Sequence, residues 1–419
     1  MKESIRSALQ DGFSHPVRDV LWGHIFLTPE LEALIGAPPF IRLTRIMQLG
    51  PTLFTYPGAT HTRAAHSIGV YHLARRIITH LVSLGADAWT SPSGIRSFLC
   101  AALLHDLGHF PYTHSLKELP LTSHEELTGQ AILKEPMKSL VGNTGADPYI
   151  TAAIVDDRLP CSGDTEIAFY RRLLSGVLDP DKLDYLNRDA RYCGVPYGAQ
   201  DVDFIVGRLQ PHRERGVDID SRGIPSVESI LFAKYLMYRT VYWHRGVRSA
   251  TAMVKKALKA GLDDGAISKE NLYGLDDQGL FNLMESRPHP LFHLAVMVRE
   301  GQLFSALKEI PFDAEKHPGL IDMDKRTEME ASLAERFSRI TGKNIAAADV
   351  VVDIPEHFSL ETDLYVKDEE AVFSGSSSAF GKSTVDGLVK ALRIIRIFIN
   401  PAYESLLKDD SRVQDVLHI

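Results

Sequence analysis

The sequence predicts a mainly α fold with a smaller α+β appendage at the C-terminus. Apolar residues recur at helical spacing through much of the chain, while strand-like runs are few and cluster late. The chain has 419 residues, 44% hydrophobic and 24% charged, which is the composition of a globular protein.

In chain order, a short hairpin is expected near VLWGHIFL, where Gly23 separates apolar stretches. Residues 63–84 place apolar side chains at 65, 68, 71, 74, 78 and 81, one stripe of a helix. The segment SFLCAALLHDLGH, 97–109, reads as a mostly buried helix ending near Gly108, with Pro111 just beyond. Further helices are expected at 167–178, 182–191, 278–286, 290–309, 325–340 and 385–399, and residues 225–262 form one long helix or two in series. DVVVDIP at 349–355 reads as a short buried strand that pairs with TDLYVKD at 362–368. The run SGSSSAFGKS, 374–383, has the composition of a mobile loop. The helical core gives way to the appendage somewhere between 265 and 320, and no internal repeat is evident.

Composition narrows the function classes. A net charge of −8 weighs against a dedicated nucleic-acid binder, although a local basic pocket can still hold a phosphorylated small molecule. No apolar run reaches the roughly 18 residues of a membrane span, and the first residues lack the apolar stretch of a secretory signal. Cys100, Cys161 and Cys193 are widely spaced and odd in number, so a disulfide framework is not expected and a cytoplasmic location is.

The chemistry concentrates in one window. Eight of the 17 histidines lie between 61 and 124, where an even spread would place about 2.6. His61, His72 and His80 are expected on solvated helix faces. His105 and Asp106 differ, because they close the apolar run FLCAALL, where an unpaired buried carboxylate would cost several kcal/mol. A metal ion removes that penalty, since imidazole and carboxylate are natural ligands. His66 offers a third ligand, and the acidic cluster DPDKLDYLNRDA, 179–190, offers several candidates for a fourth. Oxygen and nitrogen donors without thiolate suit divalent Fe, Mn, Zn, Ni or Mg, and such a site makes hydroxide available near neutral pH. No GxxxxGK[ST] phosphate loop is present.

At these residues the chain resembles the HD-domain deoxynucleoside triphosphate triphosphohydrolases, the family of the vertebrate sterile-alpha-motif enzyme and its bacterial relatives. The blocks that carry the resemblance are LWGHIFLTPELEALI, FIRLTRIMQLGPTLFTYPGATHTRAAHSIGV, LLHDLGHFPYTH with SHEE, LDPDKLDYLNRDARYCG and VYWHRGVRSATAM. They run clearly over 17–260 and faintly beyond. The resemblance implies an HD-domain helical catalytic core over 1–265 and a C-terminal α+β region over 266–419.

It also implies roles. The metal ligands would be His66, His105, Asp106 and Asp181. His109 would face the substrate phosphates and His114 the scissile bond, with His124 and Glu125 orienting it or the attacking water. Arg63 and Lys182 would hold phosphate oxygens. Gln48, Leu49, Tyr185 and Asp189 would surround the nucleoside, and Tyr242 would close the pocket against a 2′-hydroxyl. Water would attack the α-phosphorus, giving a deoxynucleoside and inorganic triphosphate. The expected partners are a deoxynucleotide substrate and further copies of the chain, with neither nucleic acid nor membrane.

Two departures stand out. The family's R-F-E-H is here Arg63-Ala64-Ala65-His66, which keeps the ligand and loses two supporting side chains. The family's guanine-nucleotide activator site draws on an Asp, a Gln and an Arg, and Gly36, Ile41 and Thr44 occupy those positions. An alternative substrate on the same metal site is another nucleotide or a phosphorylated metabolite. A retired scaffold serving regulation or nucleic-acid binding would show a lost ligand or a basic stripe, and the sequence has neither.

Overall fold

The helix Arg63–Ser83 packs against Pro92–Leu104 on one side and Pro180–Cys193 on the other; the first carries His66, the third Asp181, and the second leads into the turn that holds His105 and Asp106. The computed structural model describes residues 1–161, 163–377, 379–408 and 410–416. Each of the three helices starts where a side chain satisfies an otherwise orphaned amide: Thr62 accepts from Ala65, Ser91 from Gly94 and Asp179 from Lys182. Proline at the first position of the second and third fixes φ where no donor is needed. Gly69 sets how closely the first and third helices approach. A Cβ there would sit 2.0 Å from Asp184 Oδ1 and 2.4 Å from Arg188 Nη2.

The apolar core of this half extends from Ile5 to Trp243 and includes the whole FLCAALL run. The early hairpin pairs His15–Asp19 with Gly23–Leu27, so its turn lies at 20–22. Residues 225–262 form two helices in series, Ile224–Met237 and Arg245–Asp263, joined by a π-helical turn over Tyr238–Tyr242. The remaining expected helices appear at Thr165–Leu174, Asp277–Glu285 and Met323–Thr341.

Several expectations fail in instructive ways. The buried helix ends at Leu104, so His105 and Asp106 lie in the turn that follows. Residues 290–309 divide into a short turn, a helix His293–Arg299 and a strand Ser305–Pro311, with Gly301 at φ +73° ending the helix. Residues 385–399 divide likewise into helix Lys382–Leu392 and strand Ile394–Ile399. That strand is central in a three-stranded antiparallel sheet, between Ser305–Pro311 and Val350–Asp353. Ile395 to Ile399 are buried on both faces, with Arg396 paired to Glu309, so the run has no alternation that tells strand from helix.

Val350–Asp353 therefore pairs with Ile394–Ile399 and not with residues 362–368. Tyr365–Val366 instead joins a four-stranded sheet beside Gly216–Ile219. Residues 374–383 are anchored rather than free. Phe373–Ser376 forms a helical turn, Ser377 Oγ donates to Glu228 Oε1 at 2.5 Å, and Phe380 is buried; Ser378 lies outside the described residues. Phe358, Leu360, Val366 and Phe373 return to the first core, so a single cut near 265 does not separate the packing clusters.

Among the described residues no helix is long and apolar enough to cross a membrane.

Candidate metal centre

The turn after Leu104 is held by atoms outside it. Arg42 donates to the carbonyls of Leu107 and His109, and Thr128 Oγ1 accepts from Gly108 N and donates to His105 O. A Cβ at Gly108 would lie 2.3 Å from His124 O and 2.4 Å from Thr128 N, so only glycine lets this turn touch the His124–Ile132 helix. The result is a rigid support for two buried groups, Asp106 and His109.

The nitrogens and oxygens converge. Nε2 of His66, Nε2 of His105 and a carboxylate oxygen of Asp181 lie within 4.8 Å of one another. His66 Nε2 is 2.9 Å from Asp181 Oδ1, and His105 Nε2 is 3.7 Å from the same oxygen. Asp106 Oδ1 stands 3.3 Å from His105 Nε2 and 3.2 Å from His109 Nδ1. Arg63 Nη1 donates to its other oxygen at 2.8 Å.

Both ligand histidines are oriented by their second nitrogen. His105 Nδ1 donates to Ala102 O at 3.0 Å, and His66 Nδ1 to Asp184 Oδ2 at 2.8 Å. That pairing leaves each Nε2 facing the carboxylates, the usual arrangement for a metal-bound imidazole. His105 Nε2 is buried and has no hydrogen-bond partner, which is an open coordination position supplied by the chain itself. Two imidazoles and two carboxylates, His66, His105, Asp106 and Asp181, fit a divalent ion. Asp181 is the most open of the four, 37% exposed.

Charge follows from this packing. Burial alone would lower the pKa of His66, but the hydrogen bonds it donates to Asp181 and Asp184 outweigh it and raise it to about 10. Burial would raise Asp106, yet His109, His105 and Arg63 hold it well below the carboxylate range. His109 is pushed well down by burial and by Arg63, so it is neutral. Burial also lowers His124 to about 4.

Beside this cluster, His109, His114 and His124 bring ring nitrogens within 4.8 Å of one another. His109 Nε2 and His114 Nε2 are 3.0 Å apart, and the His109 and His124 rings are 3.9 Å apart. Glu125 Oε1 lies 3.2 Å from His124 Nε2. Tyr242 donates to Asp189 Oδ2 at 2.6 Å, and Tyr185 lies near enough to act on the Tyr242 hydroxyl. Gln48 has a buried Oε1 without a partner, and Leu49 packs against the core. Lys182 is already engaged. Its Nζ meets Asp179 at 2.8 Å, Gly176 O at 2.8 Å and Glu361 at 3.0 Å. Thr44 turns its hydroxyl to Ile41 O at 2.7 Å, and Ile41 is 41% exposed.

Sequence reasoning missed a second layer. His61 is buried, not solvated, with Nε2 2.8 Å from Asp189 Oδ1. Asp184 holds His66 and is itself held by Arg188 at 2.7 and 2.9 Å and by Trp22 Nε1 at 2.6 Å. Arg188 continues to Asp19 at 2.9 Å, tying the early hairpin to the ligand. Asp184 and Arg188 stand four apart, the one readable signal, but it did not single them out from neighbouring charges. His72 and His80 keep ordinary roles, stacked near Trp22 and bonded to Leu209 O.

Comparison with known proteins agrees with this geometry. Residues 63–140 match the HD domain model, and residues 201–379 match the HD associated region. An uncharacterized Bacillus subtilis protein is 36% identical over 225 residues, covering 54% of this chain and 50% of that one. A Dictyostelium discoideum protein named as a homologue of deoxynucleoside triphosphate triphosphohydrolase is 24% identical over 384 residues, covering 85% of this chain and 70% of that one. A Bacteroides thetaiotaomicron structure described as a phosphohydrolase superposes with a TM-score of 0.70 at 24% identity, covering 92% of this chain and 99% of that one, and so shares the fold. The chain spans about half the length of several curated relatives that it matches. It carries an HD domain followed by an HD-associated region.

Proposed function

We propose that this chain is a metal-dependent HD-domain phosphohydrolase that cleaves deoxynucleoside triphosphates to a deoxynucleoside and inorganic triphosphate. The observation that carries the reading is the partnerless, buried His105 Nε2 facing His66, Asp106 and Asp181. The relative from Dictyostelium, by its name, supports the choice of substrate.

His66, His105, Asp106 and Asp181 would hold a divalent cation, which would supply Lewis-acid chemistry at the phosphate. The protein supplies the rest. Arg63, fixed on Asp106, keeps a cationic edge beside the cluster, where phosphate charge develops. His109 is fully buried and touches His114, whose more exposed ring is the one placed to meet the departing 5′-oxygen. Glu125 orients His124 against the same group. Asp189, held by His61 and Tyr242, offers its remaining lone pairs to a sugar hydroxyl, and Tyr242 fills the space a 2′-hydroxyl would need.

A second reading, hydrolysis of a nucleotide with fewer phosphates or of another phosphorylated metabolite, is favoured by one observation. Lys182 is committed to Asp179 and Glu361, which leaves one fewer cation for a triphosphate tail. Product separation decides between the two. Incubation of the metal-loaded protein with each deoxynucleoside triphosphate should release inorganic triphosphate and the free nucleoside; orthophosphate or a nucleoside monophosphate as the primary product contradicts the first reading.

A further inference from the structure

A cavity of about 600 Å³ opens between the N-terminal helix Glu3–Gln10 and the helix Pro92–Leu104. It contains none of the residues of the metal centre. Its floor is apolar, because Ala8, Leu31, Leu99 and Cys100 are each at most 4% exposed. One wall is Phe13, whose ring carries the Arg75 guanidinium 3.6 Å from its centroid.

Arg96 stands in this lining, half-buried, and among the described residues it has no hydrogen bond, ion pair or ring partner. Other arginines of the helical half are engaged: Arg42 by carbonyls, Arg63 by Asp106, Arg171 by carbonyls and Arg188 by two aspartates. Gly145, at φ +76°, lets the Arg96 side chain lie against the backbone, since a Cβ there would meet Arg96 Cδ at 3.3 Å and Nη1 at 3.6 Å. A guanidinium with an unfilled fork above an apolar floor is the recognition element for an anionic group on an apolar body.

The rim limits the charge. Asp11 and Glu30 line the mouth and are exposed, so a polyphosphate would meet two negative groups for one positive. A single carboxylate or sulfonate brings less charge to the same rim and is repelled less. We propose that this cavity binds an amphipathic organic monoanion, with Arg96 as its counter-ion. The site is independent of the function assigned to the metal centre. It nonetheless lies on the helix that delivers His105, which follows Cys100 by five residues, about 7.5 Å along the axis at helical rise.

The test uses the full chain and anilinonaphthalene sulfonate as the probe, followed by fluorescence. The wild type should bind the probe saturably at one site per chain. Arg96→Leu should weaken binding by about tenfold or more, and Arg96→Lys by less. Asp11→Asn with Glu30→Gln, both on the exposed rim, should tighten binding, which keeps the proposal testable even if Arg96→Leu folds poorly. Asp106→Ala should leave probe binding unchanged. Non-saturable binding in the wild type, equal affinity in Arg96→Leu, no tightening in the rim variant, or loss of binding in Asp106→Ala would each overturn the proposal.

Discussion

Buried polar groups are completed to different degrees in the two halves of the molecule. Around the helix Arg245–Asp263 and the three-stranded sheet, cations meet carboxylates. Arg248 binds Asp353 at 2.7 Å and Glu356 at 2.9 Å, Lys256 binds Glu330 at 2.7 Å, and Lys255 and Arg326 share Glu118. Arg326 and Arg396 each leave a single guanidinium nitrogen without a partner. Around the HD turn, buried polar atoms stay open on several different residues: Gln48 Oε1, His61 Nδ1, Arg63 Nε, His105 Nε2 and His109 Nδ1. An unmet buried polar atom costs about 1–3 kcal/mol, so a cluster of them is tolerated where a ligand completes it. Both regions use charge to hold chain segments together, but the second also leaves several buried polar atoms open beside its carboxylates.

Paired substitutions would break or sharpen that contrast. The largest effect belongs to Asp106→Ala, which should lower hydrolysis by about 10³-fold or more with metal supplied, measured by steady-state kinetics on the folded variant. Arg248→Met should do the reverse. It should cost about 3–5 kcal/mol in urea unfolding because Asp353 is left buried and uncompensated, while activity per folded molecule is unchanged. The two regions would be alike after all if Arg248→Met abolished activity at full stability.

The same pair sets a pH dependence. Burial would raise the pKa of Asp353, but Arg248 outweighs it and holds the carboxyl below its usual value. A depressed folded-state pKa gives stability that is complete above about pH 4 and is lost as pH falls through the folded value. Acid unfolding should therefore be steeper in the wild type than in Arg248→Met.

Smaller effects probe the layer behind the site. Asp184→Asn keeps the size of the side chain and removes the charge that orients His66, so metal affinity should fall about 10–100-fold in a chelator competition. Unchanged affinity would show that the Asp184–Arg188–Asp19 chain serves stability alone. The smallest change is expected at His61. His61→Ala should lower kcat/KM on a deoxynucleotide by about tenfold, His61→Gln should restore part of it, and neither should matter for the 3′-deoxy analogue. Equal losses on both substrates would mark His61 as a packing residue.

The site was partly legible because its ligands stand in an unusual setting. His105 and Asp106 end an apolar run, and that conflict between polarity and burial is visible without coordinates. Asp181 emerged only through family resemblance, since DPDKLDYLNRDA offers several carboxylates and their partners lie on other helices. His61 was misread because the residues it meets, Asp189 and Tyr192, are more than a hundred positions away. In the fold, long helices announced themselves by period, whereas Ile394–Ile399 did not, because a strand buried on both faces, its single Arg396 included, shows no alternation of polar and apolar residues. The pairing of Tyr365–Val366 with Gly216–Ile219 was equally hidden, being a contact between segments with two residues of ladder each.

Metal content of the purified protein tests the central claim most directly. Mass spectrometric analysis after growth in metal-replete medium, with the wild type beside His105→Ala and Asp181→Ala, should find about one divalent ion per wild-type chain and almost none in either variant. Wild-type protein that is folded and active without bound metal, or variants that retain the ion at full occupancy, would contradict the assignment of His66, His105, Asp106 and Asp181 as its ligands.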